Sequence, residues 1–350
     1  MAYGIDALNS VRLESSADYQ NRVPVATKEN LAEIGRYLDS YALDYNEFIT
    51  NLFHKIGKTL ITTALFTNKL AKFKSGKVIT GQDVEDIFVD AFLKAEGAYD
   101  PDGGMGEGGI HPFKRRDYSD VKVHYYRMNR RDKYVRTIYK DDVIRAFRSE
   151  TALESFIAAQ FNAMYTGAER DEYVHMKELL AEAIKSKHFN TYTVPVIGGE
   201  GKTDADNMSA CKAFIRSVKK AIADVSYPST LYNPDGVETS TSKGNLVLFI
   251  HKDIAPHIDV DLYSQIFGPD YAKLGIEVVE LDNFGSDNSG TYALLVDKDW
   301  FKCYDVKNEM ASLHNPDGLY TNFWLHIWQI LAYRKFATAI RFGTAEVTGA

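Results

Sequence analysis

The chain has 350 residues, 45% hydrophobic and 25% charged, with a net charge of −7 and two cysteines. These proportions exclude a disordered or collagen-like chain, and the length predicts two or three lobes rather than one core. The acid excess does not describe a protein that coats nucleic acid.

Residues 1–26 carry little periodicity and predict an extended arm, with neither the basic lead nor the apolar core of a signal peptide. Thr27 is the expected cap of a helix whose stripe is Leu31, Ile34 and Leu38. A second stripe, Phe48, Ile49, Leu52, Phe53, Ile56, Leu60 and Ala64, predicts another helix, weakened at Gly57. Between 71 and 140, charged and aromatic residues alternate around a glycine-rich stretch, Asp100 to Gly109. That region has few core-building residues and reads as a long excursion from the body. Within it, Val84, Ile87, Phe88, Ala91 and Phe92 have helical spacing, and Val135 to Tyr139 alternates as a strand.

Ser149 to Ile184 repeats apolar residues at three and four, which predicts one continuous helix capped by Ser149, with Gly167 as its weak point. After Asn190 the pattern is mixed. Thr203 opens a helix with Met208, Cys211, Phe214, Ile215, Val218 and Ile222 on one face. Strands are expected at Leu246–Ile250, Ile276–Leu281 and Tyr292–Val296, the last continuing into Trp300–Tyr304, with a short helix at Val260–Phe267. Pro-Asp-Gly turns punctuate Asp100–Gly103, Asn233–Gly236 and Asn315–Gly318. Leu319 to Phe342 is rich in aromatic and β-branched residues and predicts further strands.

Chemical motifs are few. Gly104, Gly106 and Gly109 spell GxGxxG, but a turn precedes them and Ile110-His111-Pro112 follows, so no helix N-terminus waits for a pyrophosphate. Asp100 and Asp102 begin a calcium-loop pattern whose later ligands are missing. Lys114, Arg115, Arg116, Arg127, Arg130, Arg131 and Lys133 interleave with Tyr118, Tyr125, Tyr126 and Tyr134. That pattern fits a nucleic-acid surface or a charged contact with another protein, and the acidity of the whole chain favours the second. His251 and His257 flank Asp253, and His175 sits mid-helix, without an HExxH, GxSxG or P-loop. Cys211 and Cys303 form no CxxC and predict free thiols in a reducing compartment. No enzyme, cofactor or metal is expected.

Several blocks resemble the major capsid proteins of small podovirus-type tailed phages, the φ29-like and picovirus-like group. They are Gly81–Asp90 (GQDVEDIFVD), Tyr99-Asp100-Pro101, Pro112–Arg115, Asp120–Lys122, Arg127–Tyr134 (RMNRRDKY), and Ile138 with Val143–Phe147. Tyr165–Glu172 (YTGAERDE), Val296–Phe301 with Tyr304-Asp305, and Gly318–Tyr320 through Trp328-Gln329 complete the series. Their order and spacing carry the resemblance, which spans roughly residues 75–345 and leaves the N-terminal quarter unmatched.

The resemblance implies an α+β, HK97-type capsid fold and a head protein that self-assembles into an icosahedral shell around double-stranded DNA. It implies an N-terminal arm and helices over 1–60 and an extended loop over 70–145. A peripheral domain would take 146–189 and 306–350, and an axial domain 190–305. An extended loop usually carries strands, which conflicts with the helical spacing of residues 84–92. The immunoglobulin-like C-terminal domain of some relatives is not expected. Implied partners are the chain itself in pentamers and hexamers, scaffolding and portal proteins, and the packaged DNA. The implied location is the virion, assembled in the bacterial cytoplasm, with no membrane. Arg127, Arg130, Arg131, Tyr125, Tyr126 and Tyr134 are the candidate inter-subunit contacts. A nanocompartment shell resembling encapsulin, and a nucleic-acid-binding protein using residues 114–133, are the alternatives.

The chain is 13% aromatic, and the segments divide that surplus. Trp300, Phe301, Phe323, Trp324 and Trp328 are expected in a core. Tyr118, Tyr125, Tyr126, Tyr134 and Tyr139 lie on the excursion and need partners from another subunit.

Overall fold

In the computed structural model, which describes residues 3–58, 68–78, 83–89, 121–198, 202–258, 275–285, 288 and 290–344, the N-terminal segment is helical. Helices α1 (Tyr3–Glu14) and α2 (Ala17–Arg22) occupy the expected arm. Ser16 caps α2 by accepting a hydrogen bond from the Tyr19 backbone N–H. Among their described residues these helices bury Leu8, Val11 and Tyr19, too few apolar residues to raise a periodic signal in the sequence. Helix α3 (Leu31–Ser40) buries the expected Leu31, Ile34 and Leu38. Its N-cap position is Asn30, not Thr27, because the Asn30 side chain accepts the Thr27 backbone N–H in a preceding turn. Helix α4 (Ala42–Lys58) buries Phe48, Ile49 and Leu52 and runs through Gly57.

The excursion is built from strands. After β1 (Gly76–Lys77) come β2 (Asp83–Val89) and β3 (Val121–Arg127), paired antiparallel from Asp83↔Arg127 to Val89↔Val121. Residues 84–89 are therefore strand, not helix. Apolar residues fall on both faces of β2, so Val84, Ile87 and Phe88 mimic helical spacing while exposure alternates residue by residue. Strand β4 (Arg130–Tyr139) includes the expected Val135–Tyr139 and leads into α5 (Lys140–Ala146).

Helix α6 (Glu150–Lys185) is continuous across Gly167, with 36 residues and a length of about 54 Å. Strand β5 (Asn190–Thr193) precedes α7 (Asp204–Asp224), which opens on a reciprocal capping box between Thr203 and Asp206. The expected face of α7 is buried through Cys211, Phe214, Val218 and Ile222. Strands β6 (Leu246–His251), β7 (Glu277–Leu281) and β8 (Thr291–Asp297) follow. A 3-10 turn at Lys298–Trp300 separates β8 from β9 (Phe301–Asn315), so these are two strands rather than one. The Asn315–Gly318 turn connects β9 to β10 (Tyr320–Tyr333), and β11 (Ala339–Gly343) ends the described chain.

The chain forms two compact units. One takes Met1–Thr80, Met128–Met176 and Cys303–Leu331, the other Gly81–Arg127, Lys177–Lys302 and Ala332–Ala350. The first contains the four-stranded sheet β1-β9-β10-β4, with β10 and β4 antiparallel. Its core joins Leu38, Phe48, Ile49, Phe147 and Met164 to Phe323 and Leu325 of β10. The second contains the five-stranded sheet β5-β11-β8-β6-β7. Here α7 packs on Leu248, Ile250, Leu295 and Phe342, with the Phe214 and Phe342 rings edge-on at 5.9 Å. Strands β6 and β8 are buried on both faces, which explains their unbroken apolar runs. Strand β11, expected with the peripheral segment 306–350, pairs instead with β5 and β8 in this sheet.

Several expectations lie outside the described residues: the Asp100–Gly109 stretch with its glycines and Asp102, Lys114 to Arg116, Tyr118, the Val260–Phe267 helix, and Leu60 and Ala64.

Helix α3 meets the end of α5 at Gly35, where an added Cβ would sit 2.7 Å from the Cβ of Phe147. Gly35→Ala should therefore destabilise the subunit by about 1–3 kcal/mol, read as a drop in thermal midpoint. An unchanged midpoint would mean that α3 does not pack this closely.

Candidate assembly surfaces

The β2–β3 ribbon has two unlike faces because its strands alternate. The inner face is held by its own unit. Asp86 accepts two hydrogen bonds from Arg334, at 2.9 and 3.1 Å, and a third from the Tyr126 hydroxyl at 3.2 Å. His124 pairs with the Asp235 carboxylate, and Lys122 donates to the Asp235 backbone carbonyl at 2.8 Å. Phe88 and His124 both pack on the Phe336 ring. The outer face turns Ile87, Val89, Val121 and Val123 to solvent, together with Tyr125, which is 58% exposed. At the far end of that face Arg127 pairs loosely with Asp83, 3.4 Å apart.

The six candidate contact residues thus separate. Tyr125, Arg127 and Arg131 are exposed. Tyr126, Arg130 and Tyr134, expected between subunits, are engaged within the chain. Tyr126 lies on the inner face of the ribbon. Arg130 is 4% exposed and spends its guanidinium internally: Nε donates to Asp132 at 2.6 Å, Nη1 to Gln329 at 2.7 Å and Nη2 to the Tyr134 hydroxyl at 2.9 Å. Tyr134 in turn donates to Asp171 on α6 at 2.8 Å. Burial and the Asp171 bond push the Tyr134 hydroxyl up to about 12.

Gln329 extends this network by donating to Glu172 at 2.5 Å and Asp305 at 2.6 Å. Lys74 donates to the same two carboxylates at 2.9 and 2.8 Å, and Asn68 donates to Glu172 at 3.0 Å. Burial works against the Lys74 charge, yet Glu172 and Asp305 outweigh it and raise its pKa. Glu169 sits beside the cluster. Burial, then the Glu172 charge, raises its pKa, against a weaker opposing bond from the Asn68 backbone N–H.

Strand alternation also corrects the aromatic assignment. Trp300, Phe301 and Phe323 are buried, as expected. Trp324 and Trp328 are only half-buried. They project from β10 on the side opposite Phe323 and Leu325, facing Val135 and Arg131 across the β4 register. The exposed valines of the ribbon were not singled out from the sequence either, although the alternation Val121, Val123, Tyr125 was there to read.

Among the described residues, no group of His, Cys, Asp and Glu could hold a metal ion, and no helix is long and apolar enough to cross a membrane. His251 accepts the Asp253 backbone N–H and lies near the Phe284 ring. Cys211 and Cys303 are both buried and are not disulfide-bonded.

A family model described as the Phi29-like phage major capsid protein matches residues 8–343. The match takes in most of the N-terminal quarter that the motif blocks left out. The chain is 33% identical over 347 residues to the major capsid protein of Bacillus phage B103, covering 97% of this chain and 73% of that one. It is 31% identical to that of Bacillus phage PZA, covering 98% and 73%. Among solved structures, it superposes on a chain of the bacteriophage P68 head fiber and inner core structure. The TM-score is 0.59 at 12% identity, covering 82% of this chain and 88% of that one. It superposes likewise on a chain of the Staphylococcus phage Andhra capsid, with a TM-score of 0.58 at 12% identity, covering 82% and 87%.

Two outcomes test the buried network. Arg130→Ala should destabilise the isolated subunit by about 3 kcal/mol, the low end for a broken buried pair because Asp132 is partly exposed. Arg127→Ala and Arg131→Ala should cost less than about 1 kcal/mol. Equal losses in urea titrations would deny Arg130 its internal role. For Glu169, the folded pKa lies above the unfolded one, so the folded state binds the extra proton and stability falls as pH rises through that window. Glu169→Gln should raise the thermal midpoint at pH 7, and the gain should vanish once pH drops below the ordinary glutamate range. A midpoint that falls at pH 7 would contradict this.

Proposed function

Because this chain belongs to the Phi29-like phage major capsid protein family, we propose that its exposed ribbon face is a contact through which copies of it build the head shell. The protein is a major capsid protein of tailed phages with the α+β, HK97-type fold, and it self-associates as a virion structural protein. The family and the relatives it matches are phage major capsid proteins, so the nanocompartment and nucleic-acid-binding alternatives are not favoured.

The shell is icosahedral, made of pentamers and hexamers, and closed symmetry lets many modest contacts add up to a stable particle. The ribbon is the extended loop and lies over an adjacent subunit. The five-stranded sheet with α7 belongs to the axial domain, which now also claims β11. Helix α6 and the four-stranded sheet belong to the peripheral domain. Scaffolding and portal proteins assist assembly in the bacterial cytoplasm, and the shell encloses double-stranded DNA. The protein works by binding and carries out no catalysis.

A single observation carries this reading: five apolar or aromatic side chains stand exposed on one face of a two-stranded ribbon. Such a face is costly in water and is of the kind that protein contacts bury. Tyr125 and Arg127 on that face, and Arg131 on β4, are the candidate contact residues. Electron microscopy of the expressed protein, alone and with its scaffold, should show closed shells. Arg127→Glu with Arg131→Glu should impair those shells while leaving the subunit folded and its DNA binding weak. Small monodisperse species under both conditions, or tight salt-sensitive DNA binding that the double variant abolishes, would overturn the reading.

A further inference from the structure

Helix α7 lays one face on the five-stranded sheet through Cys211, Phe214, Val218 and Ile222. Its opposite face is basic. From Asn207 to Ala223 the helix carries four cations, Lys212, Arg216, Lys219 and Lys220, and no acid, in a chain whose net charge is −7. Residues three and four apart are neighbours on a helix, so these cations form one stripe. Arg216, Lys219 and Lys220 are exposed and Lys212 is half-buried. The acids of α7 stand only at its ends. Asp206 is spent in the capping box with Thr203, and Asp224 accepts a hydrogen bond from the Tyr192 hydroxyl at 3.1 Å. Among the described residues, Lys212, Arg216 and Lys220 make no ion pair.

The shape of the stripe selects its ligand. Lys212 to Lys220 spans about 12 Å along the helix axis, with a cation on each turn. A row of charges fits an extended polyanion better than a single small anion. The side chains that flank the row, Ser209, Ala213, Ser217 and Ala223, are short, so a bulky backbone can lie close to the helix. None of the exposed large hydrophobic residues of the chain lies on α7. The stripe therefore lacks the aromatic and aliphatic anchors that hold a protein partner. It equally lacks a ring on which a base could stack. Cations with short polar neighbours, and with nothing to read or stack a base, are the pattern of sequence-independent phosphate contact.

We propose that the outer face of α7, with Lys212, Arg216, Lys219 and Lys220, is a contact for the phosphate backbone of duplex DNA inside the shell. This rests on the reading that the shell encloses double-stranded DNA, and it names the surface of the chain that meets it. The acidic remainder of the chain repels DNA, so the contact is weak in a single copy. Its strength in the particle comes from repetition, because every copy presents the same stripe.

Acylation of the native chain with a small anhydride, mapped by mass spectrometry, tests this in unassembled subunits, empty shells and DNA-filled shells. Lys212 and Lys220 should react in the first two and be protected in the third. Protection already present in empty shells would assign the face to a neighbouring protein and overturn the proposal. Full reaction in filled shells would overturn it too. Shells that take up no DNA would instead overturn the reading on which it rests. Anisotropy of a short labelled duplex supplies a second measurement on unassembled subunits. Binding should be weak, with affinity falling on a log–log salt plot with a slope of about −3. Lys212→Gln with Arg216→Gln and Lys220→Gln should weaken it about tenfold and bring the slope close to zero. Arg127→Glu with Arg131→Glu should leave it unchanged. A triple variant that binds DNA as the native chain does, with the same slope, would overturn the proposal.

Discussion

Two cations, the buried Arg130 and the half-buried Lys74, tie together segments of this chain that lie far apart in sequence. Lys74 and Arg130 converge, through Gln329, on Glu172 and Asp305. One cation precedes the ribbon in the chain and the other follows it. The carboxylates come from the long helix α6 and from β9, and the bridging amide comes from β10. Arg130 and Glu172 are buried and could not be so alone, since a lone charge in an apolar interior costs far more than its packing returns. Each is tolerated because the others are present, so the network fixes which segments meet and in what register. Whether it adds net stability is a separate matter, because desolvation offsets much of the Coulombic attraction.

Period-two alternation governs the surfaces in the same way. On β10, Phe323 and Leu325 enter the core while Trp324 and Trp328 face the other side. On β3, Tyr126 and His124 turn toward Asp86 and Asp235, while Tyr125 and Val123 turn outward. Adjacent aromatic residues therefore have opposite fates. A head protein has to carry apolar surface that is exposed in the single chain and covered in the shell, and the strand is the element that separates those two kinds of residue most cleanly.

Much of the fold was legible because local signals were strong. The α7 capping box at Thr203, the apolar repeat from Ser149 to Ile184, and the doubly buried runs of β6 and β8 each mark their element from within. The helices α1 and α2 were not legible, because their few buried residues, Leu8, Val11 and Tyr19, join a core shared with Phe48, Ile49 and Leu52 rather than forming a stripe of their own. Strand β2 was misleading for the opposite reason: apolar residues on both faces imitate a helical repeat. Of the six candidate contacts, Tyr125, Arg127 and Arg131 stand exposed, whereas Tyr126, Arg130 and Tyr134 are satisfied internally.

By itself, then, the sequence determined the family, the order of most elements and the presence of an aromatic, charged excursion, because these are properties of neighbouring residues and of motif spacing. Only the tertiary structure decided which side of each strand meets a core, where β11 pairs, and that Arg130 is an internal cation while Arg131 is a surface one. The physical reason is that a strand's two faces differ by one residue in sequence but by an entire environment in space. Gln329, Glu172 and Asp305 are what make position 130 an interior one, and they are brought to it only by folding.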